Sequence, residues 1–502
     1  MDQWLGKASR NKRWSQAIDW VALLFFALFV VGPLFFIFTK LGRLEFSAGM
    51  QDAMLTSFSI AILVTAVDLL FGIPLAWLLA RKKFPLKGLI DVLIDLPLVV
   101  PTSALGLSIA LFWGSMGVGL IQPGFWLIVM LHIAFTFSYV VRTTQAAIME
   151  IDGDKARAAS TLGASPFLAF RTIWLPLVRA GAISGALLAF TRSLGETGAT
   201  TLVAGMAKTV PILTVYYKNA VPPNLDSAIS LSAVFIAASA ILFMLVRSQL
   251  GVRQIRLSQV NVSLERRLSR FGRIADWLSV AFLFLLVLLP SFYFFKFTDF
   301  NFLSTSTLDA IGVSFALAGV ATLLSLLFGL PLALYIAARK RGSETIKLLN
   351  DMSMIMPTVT IGLSLSLFWA GKAPEAVVLV LAHTAMIFPY FVGAVSEVLG
   401  EMDESLTQVA RSLGASPFHA FRTVVLPLIQ PTIIAGLVVA FMRSVSETGG
   451  TLAVSTTIQT IPLLIVNLSK AGQNAQAASA AVLLVAISIL LILALKWSQK
   501  KK

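Results

Sequence analysis

The chain has 502 residues, 57% of them hydrophobic and 13% charged, with 39 Lys and Arg against 24 Asp and Glu, a net charge of +15 and no cysteine. So much apolar surface exceeds what a soluble core can bury, and without thiols neither disulfides nor thiolate metal sites are available. The positive charge is not a nucleic-acid footprint, because it sits in alternate loops between apolar stretches.

A helix needs about 20 mostly apolar residues to cross roughly 30 Å of hydrocarbon. Six segments of the first half qualify: 18–38, 57–80, 91–113, 122–145, 178–205 and 227–246. Six more lie in the second: 274–295, 311–337, 347–370, 375–398, 430–455 and 476–497. The fold class predicted is an all-α polytopic membrane protein of about 12 transmembrane helices. The first segment is too long for a signal-peptide core and has no small-residue cleavage site after it, so it reads as a retained anchor.

Basic residues mark one side of the membrane. Lys7, Arg10, Lys12 and Arg13 precede the first segment, and Arg81, Lys82, Lys83 and Lys87 follow the second. Seven arginines between Arg247 and Arg273 join the halves, Arg339, Lys340, Arg341 and Lys347 follow the eighth segment, and four lysines from Lys496 end the chain. By the positive-inside bias this side is the cytoplasm, which places both termini there.

The chain is an internal duplication. Leu162-Gly-Ala-Ser-Pro-Phe-Leu-Ala-Phe-Arg171 returns as Leu413-Gly-Ala-Ser-Pro-Phe-His-Ala-Phe-Arg422, 251 residues later. The same offset relates Pro176 to Pro427, Arg192 to Arg443, Glu196 to Glu447 and Pro211 to Pro462. Further upstream, Phe71-Gly-Ile-Pro-Leu-Ala76 matches Phe328-Gly-Leu-Pro-Leu-Ala333 at an offset of 257. Two copies of one membrane unit are fused in tandem. With six segments each, the copies share one orientation, which predicts parallel repeats about a pseudo-twofold axis along the membrane normal. The organisation expected is a first repeat over 1–246, a basic cytoplasmic linker over 247–273 and a second repeat over 274–502. Pro97, Pro101, Pro357 and Gly362 lie inside predicted segments, where each is either a packing kink or a break that lines a cavity.

In the duplicated loop, Gly163 and Gly414 suit the left-handed stop of a helix. Ser165 and Ser416 can cap a new short helix with Pro166 or Pro417 at its first position. Phe167 with Phe170, and Phe418 with Phe421, are three apart and so are predicted to project from one face, a pair of apolar knobs that need a pocket. Arg171 and Arg422 come next, available to an acidic rim or to lipid headgroups.

On these residues the chain resembles the permeases of bacterial ABC importers, whose cytoplasmic loop runs Glu-Ala-Ala, then Gly, then Leu-Pro. The resemblance covers both halves. It implies that Gly163, Ala164, Ser165, Pro166, Phe167, Phe170 and Arg171, and in the second copy Gly414, Ala415, Ser416, Pro417, Phe418, Phe421 and Arg422, form two coupling segments that dock on ATP-hydrolysing subunits. The family's glutamate is here Arg157 and Gln408, and its alanine pair is Ala158-Ala159 in one copy and Val409-Ala410 in the other, so the charge pattern of docking differs.

The fifth segment of each half carries Arg192-Ser-Leu-Gly-Glu-Thr-Gly198 or Arg443-Ser-Val-Ser-Glu-Thr-Gly449. An ionised side chain at mid-membrane costs roughly 2.5–3.5 kcal/mol on insertion scales, so these Arg and Glu residues are expected to face the bundle or a wet cavity. A spacing of four predicts that each pair neutralises itself on one helix face. Three roles stay open: conformational ion pairs, a lining of the path, or a place at the cytoplasmic edge. The motif is similar to a Gly-Glu-Phe-Gly-Ala stretch of molybdate and sulfate permeases, with Thr197 or Thr448 in place of the aromatic residue. His132 and His383, also 251 apart, either meet near the axis to gate or titrate, or serve as hydrogen-bonded packing elements. Arg142, with Gly393 as its counterpart, either makes one wall of the path more basic or snorkels to the headgroups.

The function predicted is the permease of an ATP-driven importer that works by alternating access on a small solute, foremost an inorganic oxyanion such as molybdate or sulfate. Ferric iron, thiamine or a phosphonate is the alternative that the fused layout suggests. No Gly-x-x-x-x-Gly-Lys-Ser/Thr phosphate loop occurs, so the chain is expected not to be an enzyme and to bind no cofactor; ATP and Mg belong to two separate cytoplasmic ATPase subunits. The resemblance also implies a solute-binding protein on the outer side and a place in a bacterial or archaeal inner membrane. An ion-coupled secondary transporter shares the six-plus-six layout but gives no reason for a docking helix after the fourth segment of each half. A membrane enzyme lacks the clustered His, Asp and Glu that it would need.

Overall fold

The computed structural model describes residues 12–42, 47–151, 161, 166–248, 274–299, 304–403 and 405–500. Among them every regular element is a helix, and nine helices are long and apolar enough to cross a bilayer, or ten if one bent pair counts as a span. In the first half these elements are α1 (Gln16–Thr39), α2 (Ala48–Arg81), α3 (Thr102–Trp113), α4 (Phe125–Glu150), α5 (Leu175–Gly195), α6 (Gly198–Val203), α7 (Val210–Asn219) and α8 (Leu225–Ser248). In the second they are α9 (Ile274–Phe297), α10 (Thr305–Ala337), α11 (Ser343–Ile355), α12 (Thr358–Trp369), α13 (Glu375–Glu401), α14 (Leu426–Val445), α15 (Gly449–Val454), α16 (Ile461–Lys470) and α17 (Asn474–Lys500). Residues 249–273, most of the predicted linker, lie outside the described residues.

The duplication extends to turn chemistry. Ser47 caps α2 by accepting the Met50 N–H, and Ser304 caps α10 by accepting the Thr307 N–H, both at 3.3 Å. Wide π-helical turns at Phe26–Val31, Leu283–Leu288, Phe170–Trp174 and Phe421–Val425 form two equivalent pairs. Each ends two residues before a proline, Pro33, Pro290, Pro176 or Pro427, whose missing N–H and bulky ring push the preceding carbonyls out of the α ladder.

The third and ninth predicted segments are not single spans. In the second half α11 and α12 meet at 110°. In the first, short helices Lys87–Leu93 and Leu96–Val99 precede α3. The break is set by Pro101 and Pro357, because a residue before proline avoids the α region: Val100 and Met356 are extended, with ψ of 124° and 134°. The fifth and eleventh segments also divide, α5 from α6 and α14 from α15. Predicted continuous helices over 178–205 and 430–455 are therefore replaced by helix, break and short helix, although the helices before each break remain long and apolar enough to cross a bilayer.

The first helix of each half packs on the other half. Phe25 of α1 stacks on Phe328 of α10, with ring centroids 4.0 Å apart, and Phe282 of α9 stacks on Phe71 of α2 at 4.2 Å. Ser364 of α12 donates to the Pro33 carbonyl, and Ser108 of α3 to the Pro290 carbonyl at 2.6 Å. An ion pair fixes one end of each exchanged helix: Asp19 to Lys340, and Asp276 to Lys82. Ala22, Phe26, Val30 and Leu34 are thereby buried in the core of the second half, and Leu283, Val287 and Phe294 in that of the first.

Candidate functional site

One candidate site is the duplicated loop. In the first copy Gly163, Ala164 and Ser165 lie outside the described residues, as do Arg157 and the side chains of Pro166, Phe167 and Arg171. A short helix runs Pro166–Ala169 and widens into the π turn before α5. Phe170 lies edge-on to Trp77, with centroids 5.2 Å apart, and Arg81 stacks 4.0 Å over Trp174 while donating to the Ile148 and Ile151 carbonyls at 2.9 and 2.7 Å.

The second copy is described through the whole turn. A helix Ser405–Ser412 precedes Gly414, whose φ of +90° is the left-handed stop that glycine allows. The hydroxyl of Ser416 accepts the His419 N–H at 3.2 Å and caps Pro417–Ala420. Phe418 is 67% exposed, whereas Phe421 is half-buried against the core of the second half. The expected pair of knobs on one face is thus one knob and one anchor, because side chains three residues apart on a helix still differ by about 60° in direction, enough to turn Phe421 to the core and leave Phe418 outside. Arg422 is exposed. Asp403, ahead of this helix, accepts the Ser405 hydroxyl at 2.6 Å and its N–H at 2.9 Å, and those hydrogen bonds hold its carboxyl below the usual range.

The other candidate site is the seam between halves. α5 ends where Glu196 turns extended, at ψ 131°. Arg192 bonds one carboxylate oxygen of Glu196 at 2.8 Å, and the other oxygen accepts the Ala199 N–H at 3.2 Å. In the second half Arg443 reaches Glu447 at 3.0 Å, and Glu447 accepts the Gly450 N–H at 3.0 Å. Each glutamate pairs backwards with the last turn of one helix and caps the first turn of the next, where the helix dipole favours a carboxylate. The expected single helix face is corrected: the helix stops between the two partners. The pairs also sense each other, since Glu196 and Tyr139 of the first half lie within charge range of Arg443.

Both histidines are staples across these breaks. His132 of α4 bonds Ser193 before the break at 2.7 Å and Thr200 after it at 3.0 Å. His383 of α13 bonds Ser444 at 2.8 Å and Thr451 at 3.1 Å. With both ring nitrogens committed inside one half, the two histidines do not meet.

The breaks themselves touch across the seam. A Cβ placed on Gly198 would lie 2.3 Å from the Thr448 Cβ, and one on Gly449 would lie 2.6 Å from the Thr358 hydroxyl and 2.9 Å from that of Thr197. Thr197 and Thr448 are 1% and 2% exposed, and their hydroxyls make no hydrogen bond among the described residues.

Arg142 forms no basic wall. Its guanidinium holds Asp95 by two bonds of 2.7 and 2.6 Å, Asp91 at 2.7 Å and Gln145 at 2.9 Å. The Asp91 carboxylate also accepts from the Gln145 amide at 3.1 Å. Gly393 in the second half has no such clamp to supply.

Three polar groups passed unnoticed in the sequence. Asp68 is fully buried in α2 and accepts the Thr136 hydroxyl at 2.6 Å; its counterpart at an offset of 257 is Ser325. Lys218 on α7 has a buried amine, and Glu375 at the start of α13 fastens the loop after α15, accepting from Ser455 and from the Thr457 hydroxyl at 2.9 Å. A lone charge in an apolar stretch was the available signal for each. Among the described residues no group of His, Asp and Glu is arranged to hold a metal ion.

Comparison with known proteins gives this geometry a family. Residues 72–256 and 325–501 each match the binding-protein-dependent transport system inner membrane component. The sulfate transport system permease protein CysT of Salmonella typhimurium is 31% identical over 240 residues, 44% of this chain and 87% of that protein. The molybdate/tungstate transport system permease protein WtpB of Methanocaldococcus jannaschii is 30% identical over 234 residues, 45% of this chain and 93% of its own length. Each relative thus has the length of one half. The chain belongs to the binding-protein-dependent transport system inner membrane components, and carries two copies of that permease unit fused in tandem.

Proposed function

We propose that this chain is the permease of an ATP-driven ABC importer and passes a tetrahedral oxyanion, sulfate or molybdate, through the cytoplasmic membrane by alternating access. The observation that carries this reading is the seam, where Gly198 packs on Thr448 and Gly449 on Thr197 at two equivalent helix breaks. Only glycines at those points let the two halves close this tightly, so rocking of the halves about their pseudo-twofold axis separates the breaks and opens a path. The Arg–Glu pairs keep the broken helix ends neutral in both states. The histidine staples keep each break a rigid unit, so that motion is taken up between halves rather than inside them. The permeases of sulfate and of molybdate/tungstate, each similar to about half of the chain, support the substrate class.

Energy enters through the duplicated loops, with one ATPase subunit per loop. Phe418, two-thirds exposed beside an ordered helix, supports docking into a partner's groove. The basic residues Arg81, Lys82, Arg339 and Lys340 support a cytoplasmic position for this face and for both termini. A solute-binding protein docks on the opposite face.

The test is to purify the chain with its ATPase and binding protein, reconstitute the complex in liposomes, and measure ATP-dependent uptake of labelled sulfate, molybdate, ferric iron and thiamine. Uptake of an oxyanion is expected. Uptake of ferric iron or thiamine alone overturns the substrate class, and uptake without ATP overturns the importer.

A further inference from the structure

Among the described residues one ammonium group is buried without a hydrogen-bond partner, that of Lys218. Two other lysines of the same face are engaged: Lys208 stacks 4.8 Å from the Tyr216 ring, and Lys372 donates to the Phe368 carbonyl at 2.9 Å. A buried, unpaired ammonium is costly, which makes it a site where an anion is favoured.

Its position is on the seam. Lys218 lies in the last turn of α7, which packs across the halves against α12 and α15. Glu375 is the acidic group within charge range of it. That carboxylate is held elsewhere, by Ser455, by the Thr457 hydroxyl and N–H, and by the Ile458 N–H at 3.4 Å. The residue at an offset of 251 is Ser469 on α16, and the cation of that helix end, its neighbour Lys470, is exposed rather than buried. The loops 114–124 and 203–205 gather on this face, where the Gly124 N–H bonds the Val203 carbonyl at 2.8 Å and Asn474 reaches the Met116 sulfur. It is the face opposite the duplicated loops.

Resting on the oxyanion reading above, we infer that the Lys218 ammonium is a recognition site for the transported oxyanion at the mouth of the seam, before the helix breaks. A docked protein's acidic side chain does not reach an amine buried between two halves, whereas a small dianion enters once they part. A charge-assisted bond from ammonium to oxyanion is stronger than a neutral one and selects for charge over shape. Glu375, tied to its loop, borders the site and repels anions that Lys218 does not hold.

The experiment is the concentration dependence of labelled sulfate and molybdate uptake by the reconstituted complex. K218M is expected to raise KM about ten-fold with Vmax unchanged, while K218R keeps KM near wild type. K218Q, which keeps length and a donor, guards against a folding defect and is expected to raise KM as K218M does. E375Q leaves KM unchanged or lowers it. An unchanged KM in both K218M and K218Q overturns the inference, and so does a rise in E375Q equal to that in K218M, which would make the two residues a latch. If wild type transports neither anion, the oxyanion reading itself has failed and this site falls with it, an outcome visible before any variant is made.

Discussion

Each seam histidine answers for two hydroxyls on opposite sides of a helix break, and Ser193 and Ser444 rely on the ring for their side-chain hydrogen bond. Removing one ring leaves a buried hydroxyl orphaned at about 1–3 kcal/mol. H132A and H383A are therefore expected to lower the unfolding temperature of the purified protein, and fluorescence-monitored melting in detergent checks it; unchanged melting would show the rings to be idle. Gly198 makes the sharper test. G198A drives a methyl group onto Thr448 and is expected to cost about 1–3 kcal/mol of overpacking together with loss of uptake. G198A/T448G removes the obstruction and is expected to recover uptake, which G198A/T423G, altered in the exposed loop, does not. The Arg–Glu spacing was legible as a pair. That the helix stops inside it was not, because the stop occurs at Gly-Glu-Thr-Gly or Ser-Glu-Thr-Gly with no proline to announce it.

Elements are broken where tertiary contacts reward the break. The bends before Pro101 and Pro357 were half legible: sequence marked them as a kink or a cavity-lining break, and the choice lay in packing that no local rule encodes. The clamp of Arg142 on Asp91 and Asp95 holds the short helix Lys87–Leu93 to α4. R142A is expected to destabilise by about 1.5–3 kcal/mol, read as a lower melting temperature, with KM for the transported anion unchanged because Arg142 is no part of the path. In the second duplicated loop F418D is expected to release the ATPase while leaving a monodisperse membrane chain, and retained co-purification would refute docking there. F421D, half-buried, is expected to destabilise the chain as well. Asp403 adds a pH sign. Its folded pKa is depressed, so its stabilising cap is complete above the unfolded value of about 3.9 and is lost only as pH falls through the lower folded value. Co-purification of the ATPase is accordingly expected to be flat between about pH 8 and 5.

At the scale of the molecule the duplication was plain from the offsets, and the orientation of the repeats came from counting. The exchange of first helices was not legible. Asp19 and Asp276 stand 257 apart like the rest of the upstream repeat, yet a sequence repeat says which residues are equivalent and not which half each one touches. The contact that decides it, Phe25 on Phe328, is non-local. Two separately expressed halves, 1–273 and 274–502, are expected to co-purify as one complex when made together, and each alone to aggregate, since each would lack a helix from its core. Size-exclusion chromatography distinguishes these outcomes, and a soluble, monodisperse single half would refute the exchange.

The exchanged helix also sets a timetable for synthesis. α1 leaves the ribosome first, and the Phe328 ring that receives it is made roughly 300 residues later, at 5–20 residues per second a wait of roughly 15–60 s. For that time Asp19 faces lipid or headgroups without Lys340, and the aromatic side of α1 is open to any neighbour in the membrane. α1 thus waits for a partner made far later in the chain, and the interval is when an insertion chaperone has most to protect.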